Sequence, residues 1–233
     1  MFCIMTDLDP ALRKCILFEG ISDEDIKELI TCSGAGQAAY QPGQLLFDQG
    51  EEPLFLHVLL EGAVNVGKYY ADGRQGYMTR FDQPGDIFGE ILLFTGQKEY
   101  DFFARADGNV RVLKIPKLFL THQCGKACLF HRRLTDNLMQ TVAEKALFLQ
   151  RRVQVLSGAS LRTRLAKAIL LETKGGKVTS LSMNREEMAG YVNAARPSVS
   201  RELSNMQADG LIRLDGRKIY ITDLPHLEEI SEL

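Results

Sequence analysis

The chain has 233 residues, of which 45% are hydrophobic and 25% are charged. This is the composition of an ordinary globular protein with room for one large or two smaller domains, and it excludes disordered and fibrous classes. No run approaches the roughly 18 consecutive apolar residues of a membrane span, and the N-terminus has no positively charged start ahead of an apolar core. We therefore expect a cytoplasmic protein with no membrane partner.

The net charge of −2 is unevenly distributed. Residues 151–220 contain 13 Lys or Arg and 6 Asp or Glu, a balance of +7, so the rest of the chain carries −9. A basic segment beside an acidic body indicates that one end of the chain meets a polyanion.

The five cysteines are odd in number and scattered, which argues against a disulfide framework. Cys124 and Cys128 would share one face of a helix and could form half of a metal site or respond to oxidants. Because no second pair completes four ligands, structural thiols are expected.

From Tyr40 to about Ile115, short β-type runs alternate with turn signals such as "QPGQ" and "DQPGD". This spacing predicts a small antiparallel barrel or roll, with a hairpin turn at Asp72-Gly73. Ahead of it, Ser22 and the following "DEDIKELI" predict a capped amphipathic helix. We assign residues 1–120 to this first domain.

A long helix is predicted next, because the sequence has no Gly or Pro from Lys126 to Ser157. Six residues recur at spacings of three and four, which is typical of a dimer seam: Met139, Val142, Ala146, Leu149, Val153 and Leu156. The alternative is that this stripe packs on its own barrel. A second apolar face is available for that purpose, formed by Leu134, Leu138, Leu147 and Val155. We assign residues 121–157 to a dimerisation helix.

A second, smaller domain is expected over residues 158–233, after a hinge candidate at 157–160. Asn184 and Glu187 have the spacing of a capping box at the start of a short helix. The break "NAAR" separates it from a second helix, and Asp215-Gly216 marks a closing hairpin. These are the parts of a winged helix-turn-helix. The predicted fold class is α+β: an N-terminal antiparallel, jelly-roll-like β-roll, a long helix and a C-terminal winged helix-turn-helix.

The second helix of this motif has two distinct faces. Its inner face is predicted to contain Val199, Leu203 and Met206. Arg196 at the N-terminal tip and Arg201 on the outer face could each form paired hydrogen bonds to guanine, and Ser198 could bind a phosphate oxygen. The alternative is a solvated helix face with two surface arginines. The local charge and the wing favour DNA binding.

The chain resembles the cyclic-AMP receptor protein / fumarate-and-nitrate-reduction regulator (Crp/Fnr) family of bacterial transcription factors over nearly its full length. The specific stretches are "FDQPGDIFGEILLF" and "REEMAGYVNAARPSVSRELSNMQADGLI", supported by "ILFEGISDEDIKELI" and "LLFDQGEEPLFLHVLLEGAVNV". The resemblance implies a β-roll of the cyclic-nucleotide-binding type, a dimerisation helix and a winged helix-turn-helix. It also implies a homodimer that reads a palindromic operator in double-stranded DNA and acts with RNA polymerase.

Carried over to this sequence, the resemblance places Arg196 and Arg201 on base-contacting arginines. It places Ser198 and Arg185 on phosphate contacts. Two departures stand beside these matches. Pro197 replaces a glutamate that contacts a base, so the operator preference cannot be copied. Ala195 replaces a frequent Ser cap, which should weaken the helix start by about 1 kcal/mol.

The resemblance also implies an effector pocket. In relatives that bind cyclic AMP, residues matching Gly89 and Glu90 hold the ribose, and an Arg-Ser pair holds the phosphate. Tyr100 and Asp101 occupy the Arg-Ser positions here. The adenine positions match Leu149 and Gln150. Losing the charge-assisted pair and adding a carboxylate predicts at least about a hundredfold loss of cyclic-AMP affinity. Gly89 and Glu90 also have a structural explanation: the glycine is needed for a backbone turn, and the glutamate has a structural role.

Two other effector classes occur among the relatives. An iron–sulfur cluster would need closely spaced cysteines, a spacing that this sequence does not have at Cys3, Cys15 and Cys32. Haem would need an axial ligand, for which the candidates are His57, His122 and His131. A lone histidine in a β-run is more often a packed side chain, so the effector and any cofactor stay open.

The main hypothesis is a homodimeric, sequence-specific DNA-binding regulator gated by a small effector other than cyclic AMP. The alternatives are a haem- or redox-sensing regulator of the same family and a signalling module whose effector domain regulates a partner protein. An enzyme is not expected, because the sequence has no catalytic triad order, metal box or phosphate-binding glycine loop.

Overall fold

The computed structural model describes residues 8–121, 129–173, 178–180, 183–216 and 218–232. The chain divides into two compact units, Met1–Ala143 and Glu144–Leu233. Four residues discussed above lie outside the described ranges: Cys3, His122, Cys124 and Cys128.

The first unit opens with helix α1 (Pro10–Lys14), a 3₁₀ turn (Ile16–Phe18) and helix α2 (Asp23–Ser33). The Ser22 hydroxyl accepts a hydrogen bond from the Asp25 amide at 3.2 Å, which confirms the predicted cap. Helices α1 and α2 bury apolar residues against the roll that follows.

The roll has eight strands: β1 (Gly36–Tyr40), β2 (Leu45–Phe47), β3 (Phe55–Glu61), β4 (Val64–Tyr69), β5 (Gln75–Phe81), β6 (Ile87–Phe88), β7 (Phe103–Ala106) and β8 (Val110–Pro116). They form two four-stranded antiparallel sheets, ordered β1-β8-β3-β6 and β2-β7-β4-β5. The predicted hairpin at Asp72-Gly73 joins β4 to β5, and Gly73 has the left-handed φ of 81° that this turn requires. The antiparallel roll is thereby confirmed.

Helix α3 (Glu90–Phe94) follows β6, and helices α4 (Lys117–Thr121) and α5 (Leu129–Leu156) come after β8. The 28-residue α5 confirms the predicted long helix. Within the first unit, Leu134 and Leu138 of α5 are buried. Val155 is buried in the core of the second unit instead of against the roll, and Leu147 is 44% exposed. The prediction that these two residues pack on the roll is therefore wrong. The residue next to Leu147, Phe148, lies on the same helix face as Val155, seven residues earlier, and its ring approaches Tyr191.

The second unit continues with α6 (Leu161–Thr173), β9 (Val178–Ser180), α7 (Arg185–Tyr191), α8 (Arg196–Ala208), β10 (Ile212–Asp215), β11 (Lys218–Ile221) and α9 (Leu224–Glu232). The strands form an antiparallel sheet in the order β10-β11-β9. Helix α9 was not predicted; it buries Leu227 and Ile230 in the same core as Leu165, Met188 and Leu203. The helices and the small sheet form a winged helix-turn-helix, as the sequence predicted.

Candidate nucleic-acid interface and effector site

Helix α7 begins at a complete capping box. The Asn184 side-chain oxygen Oδ1 accepts hydrogen bonds from the backbone amides of Glu186 at 2.8 Å and Glu187 at 3.0 Å. The Glu187 carboxylate in turn accepts from the Asn184 amide at 2.7 Å. These bonds fix the start of α7, as its spacing predicted.

The break between α7 and α8 is a tight turn. Asn193 adopts a left-handed φ of 50°, which asparagine tolerates better than most residues. The Ala194 amide donates to the Ala189 carbonyl at 2.9 Å. This backbone bond helps to shape the turn between the two helices.

Helix α8 has the two faces that the sequence predicted. Its inner face is fully buried and consists of Val199, Leu203 and Met206. The residues predicted to contact DNA, Arg196, Ser198 and Arg201, are all exposed on the same helix. The buried face holds α8 in the domain, so that the exposed face is presented on a rigid support.

The N-terminal tip of α8 carries positive charge and backbone amides that no side chain of the described residues caps. Within the described ranges, Ala195 provides no side-chain cap, as predicted. Arg196 lies 3.6 Å from the Glu186 carboxylate, an ion pair that the sequence did not indicate. Both side chains are more than half exposed, so this pair contributes little stability and can be exchanged for a stronger partner. An anion at this tip would meet both the arginine and the unsatisfied amides.

Arg185 occupies the first position of α7 and is half-buried. Its Nη1 atom is buried and has no hydrogen-bond partner among the residues that the structure describes. Burial also lowers the pKa of the Arg185 guanidinium. A half-buried guanidinium with an unmet donor is well suited to a phosphate oxygen.

The wing is a hairpin with a cation on its surface. Arg213 on β10 pairs with Tyr220 on β11, and its guanidinium lies 3.9 Å from the centre of the tyrosine ring. This cation–π contact orders an arginine beside the recognition motif, and the sequence pattern gave no indication of it.

The second candidate site lies in the first unit, at the turn before α3. Gly89 has a φ of 81°, and a Cβ atom there would lie 3.1 Å from His57 Nδ1 and 3.5 Å from Tyr100 Oη. The next residue, Glu90, is only 1% exposed. The left-handed backbone favours glycine, and a Cβ atom would also crowd His57, which supports the structural explanation for Gly89.

Tyr100 is buried beside this turn rather than open to solvent. Its ring stacks on Phe47 with the centroids 4.0 Å apart and an angle of 14° between the planes. Burial raises the pKa of Tyr100, and the charges of Glu51 and Glu90 raise it further. The hydroxyl is therefore neutral, and a ring occupies the space beside Gly89.

His57 completes this buried group. It stacks on Phe88 at 5.1 Å, and burial lowers its pKa to about 3, with a smaller effect from Lys114. The imidazole is therefore neutral at pH 7. Within the described part of the chain, neither His57 Nδ1 nor Tyr100 Oη has a hydrogen-bond partner. Phe47, His57, Gly89, Glu90 and Tyr100 are hereafter called the roll site.

Asp101 does not belong to the roll site, although the sequence predicted it there. Its side chain is exposed and lies 3.2 Å from Lys68 Nζ. Because the lysine offsets its charge, the carboxylate repels an anion less than we predicted. Leu149 and Gln150 are exposed in the second compact unit, so their assignment to an effector pocket stays a prediction.

The remaining cofactor candidates are mostly packed side chains. His131 is buried and stacks on Phe119 at 4.3 Å. Cys15 is buried, and desolvation raises its pKa to about 12, whereas Cys32 is exposed. No group of three or more His, Cys, Asp or Glu suited to a metal ion occurs among the described residues.

In the part of the chain that the structure describes, no helix is both long and apolar enough to cross a membrane.

A β-roll joined by a long helix to a winged helix-turn-helix defines a DNA-binding regulator with a separate sensory domain. Residues 37–126 match the cyclic nucleotide-binding domain family, and residues 163–230 match the Crp-like helix-turn-helix domain family. The chain belongs to the Crp/Fnr family of transcriptional regulators, whose members are not enzymes.

Individual relatives agree with this assignment. The transcriptional regulator LdrP of Thermus thermophilus is 30% identical over 195 residues, covering 79% of this chain and 91% of the relative. A CRP-like cAMP-activated global transcriptional regulator of Mycobacterium tuberculosis is 22% identical over 94% of this chain and 98% of its own length. Among solved structures, the Thermus thermophilus catabolite activator protein matches with a TM-score of 0.50 and 22% identity, over 93% of this chain and 98% of its own.

Proposed function

We propose that the protein is a homodimeric, sequence-specific transcription regulator that reads a palindromic operator and responds to an effector other than cyclic AMP. The observation that carries the proposal is the amphipathic helix α8. Its apolar face is fully buried, and Arg196, Ser198 and Arg201 are exposed on the rest of its surface. Such a helix fits the major groove of DNA.

The proposed contacts divide into two kinds. Arg196 and Arg201 read base edges, because each guanidinium can bind the O6 and N7 atoms of guanine. Ser198 and Arg185 bind phosphate oxygens and set the register. The unmet Nη1 donor of Arg185 and the lack of a side-chain cap at Ala195 support this division.

To test sequence-specific DNA binding, the full-length protein is first used to select duplexes from a random pool. The affinity of Arg201→Ala for the selected operator is then measured. We expect Arg201→Ala to lose about 1–3 kcal/mol on the selected operator. The affinity of Arg201→Ala for an unrelated duplex should fall only as far as the loss of one surface charge requires. Wild-type operator affinity in Arg201→Ala would favour a signalling module whose winged helix contacts a protein.

The dimer proposal rests on helix α5. Its stripe Met139, Val142, Ala146, Leu149, Val153 and Leu156 is exposed in the single chain. Met139 and Val153 are the most exposed, at 68% and 69%. A stripe at alternating spacings of three and four is the usual contact of two parallel helices, and burying it would remove apolar surface from water. Two copies would bring two α8 helices to a palindromic site.

The effector proposal rests on the roll site. A phosphate there would meet neutral His57, neutral Tyr100 and buried Glu90 instead of a guanidinium. Removing a charged partner from a buried anion costs about 1.5–3 kcal/mol for each lost hydrogen bond. We therefore propose an effector without a phosphate group, bound beside the stacked rings of Tyr100 and Phe47. Calorimetric titration with cyclic AMP tests this directly, and micromolar binding would contradict it.

The mode of action follows from this arrangement. An effector that binds one conformation of the dimer more tightly shifts the population toward it and changes the orientation of the DNA-binding units. Regulation at a promoter also requires RNA polymerase as a partner. A protein that acts on bacterial DNA in this way works in the cytoplasm.

A further inference from the structure

The turn between α5 and α6 is packed rather than loose. Gly158 is buried, and a Cβ atom there would lie 3.0 Å from atoms of Thr163 and Arg164. The Ser160 hydroxyl accepts from the Thr163 amide at 3.0 Å, and Lys167 Nζ donates to the Ser157 hydroxyl at 3.3 Å. These contacts do not support the hinge that we predicted at residues 157–160.

The last turns of α5 are anchored in the second unit ahead of that turn. Val155 is fully buried in the core of the unit. The ring of Phe148 lies 5.6 Å from the ring of Tyr191. Arg152 Nη2 donates to the Gly190 carbonyl at 3.0 Å. One face of α5 therefore contacts the end of α7, where the helix-turn-helix changes direction.

Two arginines from outside the motif hold the turn of the helix-turn-helix. Arg152, from α5, binds the Gly190 carbonyl in the last turn of α7. Arg164, from α6, donates to the carbonyls of Val192 at 2.7 Å and Asn193 at 3.3 Å. Positive charge is favourable at the carbonyl end of a helix, because it offsets the helix dipole. Of these two arginines, Arg152 is the one that connects this turn to the helix that carries the exposed stripe.

We infer that Arg152 is a positioning residue for DNA recognition, an inference that rests on the dimeric function proposed above. It does not contact DNA. It attaches the turn before α8 directly to α5, so that a rotation of α5 is transmitted to α8 without passing through the segment 157–160. In a dimer, this attachment fixes the separation and angle of the two α8 helices, and hence the spacing of half-sites that the protein accepts.

The test compares Arg152→Met, which removes the donors but keeps the apolar stem, with Arg152→Lys, which keeps the charge and can still donate hydrogen bonds. Arg151→Met is the matched control, because it removes the same group from a position about 100° around the helix. The probes are the operator selected by the wild-type protein and the same operator with one base pair inserted between its half-sites. Thermal unfolding of each variant reports on folding.

We expect the inserted base pair to weaken wild-type binding by about tenfold or more, comparable to one mismatched base pair. In Arg152→Met this ratio should fall to about threefold or less, with Arg152→Lys intermediate and Arg151→Met like the wild type. A purely structural role would lower the active fraction and affect both probes equally, leaving the ratio unchanged. If the inserted base pair weakens binding of Arg152→Met as much as it weakens binding of the wild-type protein, the inference is overturned.

The wild-type result separates this inference from the proposal on which it depends. If the wild-type protein selects no duplex, or selects single half-sites without a spacing preference, the proposed dimeric function fails and the inference fails with it. If it selects a spaced palindrome and Arg152→Met retains the spacing preference, only the role of Arg152 is refuted.

Discussion

Replacing Gly89 by alanine tests whether this glycine is required by the fold or is instead kept for a ligand. Gly89 has a φ of 81°, so an alanine there pays the cost of a left-handed backbone, about 1–2 kcal/mol. Its Cβ would also lie 3.1 Å from His57 Nδ1 and 3.4 Å from the Phe55 carbonyl oxygen. Crowding of this kind typically costs about 1–3 kcal/mol more.

Gly96 provides a matched control for the backbone term. Its φ is 74°, and no atom of the described residues lies within 4 Å of a Cβ atom built there. Gly96→Ala should therefore lose only the backbone cost of about 1–2 kcal/mol. We expect Gly89→Ala to be less stable than Gly96→Ala by about 1–3 kcal/mol in urea unfolding of the unliganded protein. Equal losses in the two variants would refute the packing argument and favour the ligand-binding explanation for Gly89.

Three further predictions concern the roll site and helix α5. Val153→Glu should convert the dimer to a monomer in light scattering, because it places a charge in the proposed seam; a dimer of unchanged mass would exclude Val153 from it. Tyr100→Phe should leave the free energy of unfolding unchanged or raise it by about 1 kcal/mol, because a buried hydroxyl is removed; a loss above about 1 kcal/mol would mean that the hydroxyl has a partner. The folded pKa of His57, about 3, is below the unfolded value of 6.5, so the unfolded state binds the extra proton and stability falls as the pH drops below 6.5. Between pH 7 and pH 5 this loss should be about 2 kcal/mol, and His57→Phe should lack it; equal slopes in the two proteins would contradict the buried neutral imidazole.

Local patterns in the sequence predicted what depends on local structure. The buried positions of α8 follow from helical periodicity, and the Asn184 and Ser22 caps follow from residue types at fixed offsets. The hairpin at Asp72-Gly73 is equally local. In each case the responsible residues lie within a few positions of one another, so the local sequence is sufficient to predict the feature.

Contacts between distant segments could not be found in this way. Tyr100 lies in the polar stretch "QKEYD", and only the fold shows that its ring packs on Phe47. Arg152 has no local signal in the sequence, because its partner Gly190 lies 38 residues later in the chain. The prediction for Leu147 failed because periodicity indicates which residues share a face, but it does not indicate which element lies opposite.

Fluorescence anisotropy of the selected operator, titrated with the full-length protein in the absence and presence of cyclic AMP, tests the central claim most directly. We expect sequence-specific binding, at least about a thousandfold tighter than binding to an unrelated duplex at physiological salt. We also expect cyclic AMP to change the operator affinity by less than about twofold, since a ligand with equal affinity for two states does not shift the equilibrium between them. Operator binding that appears or strengthens by about tenfold or more only with cyclic AMP would contradict the account.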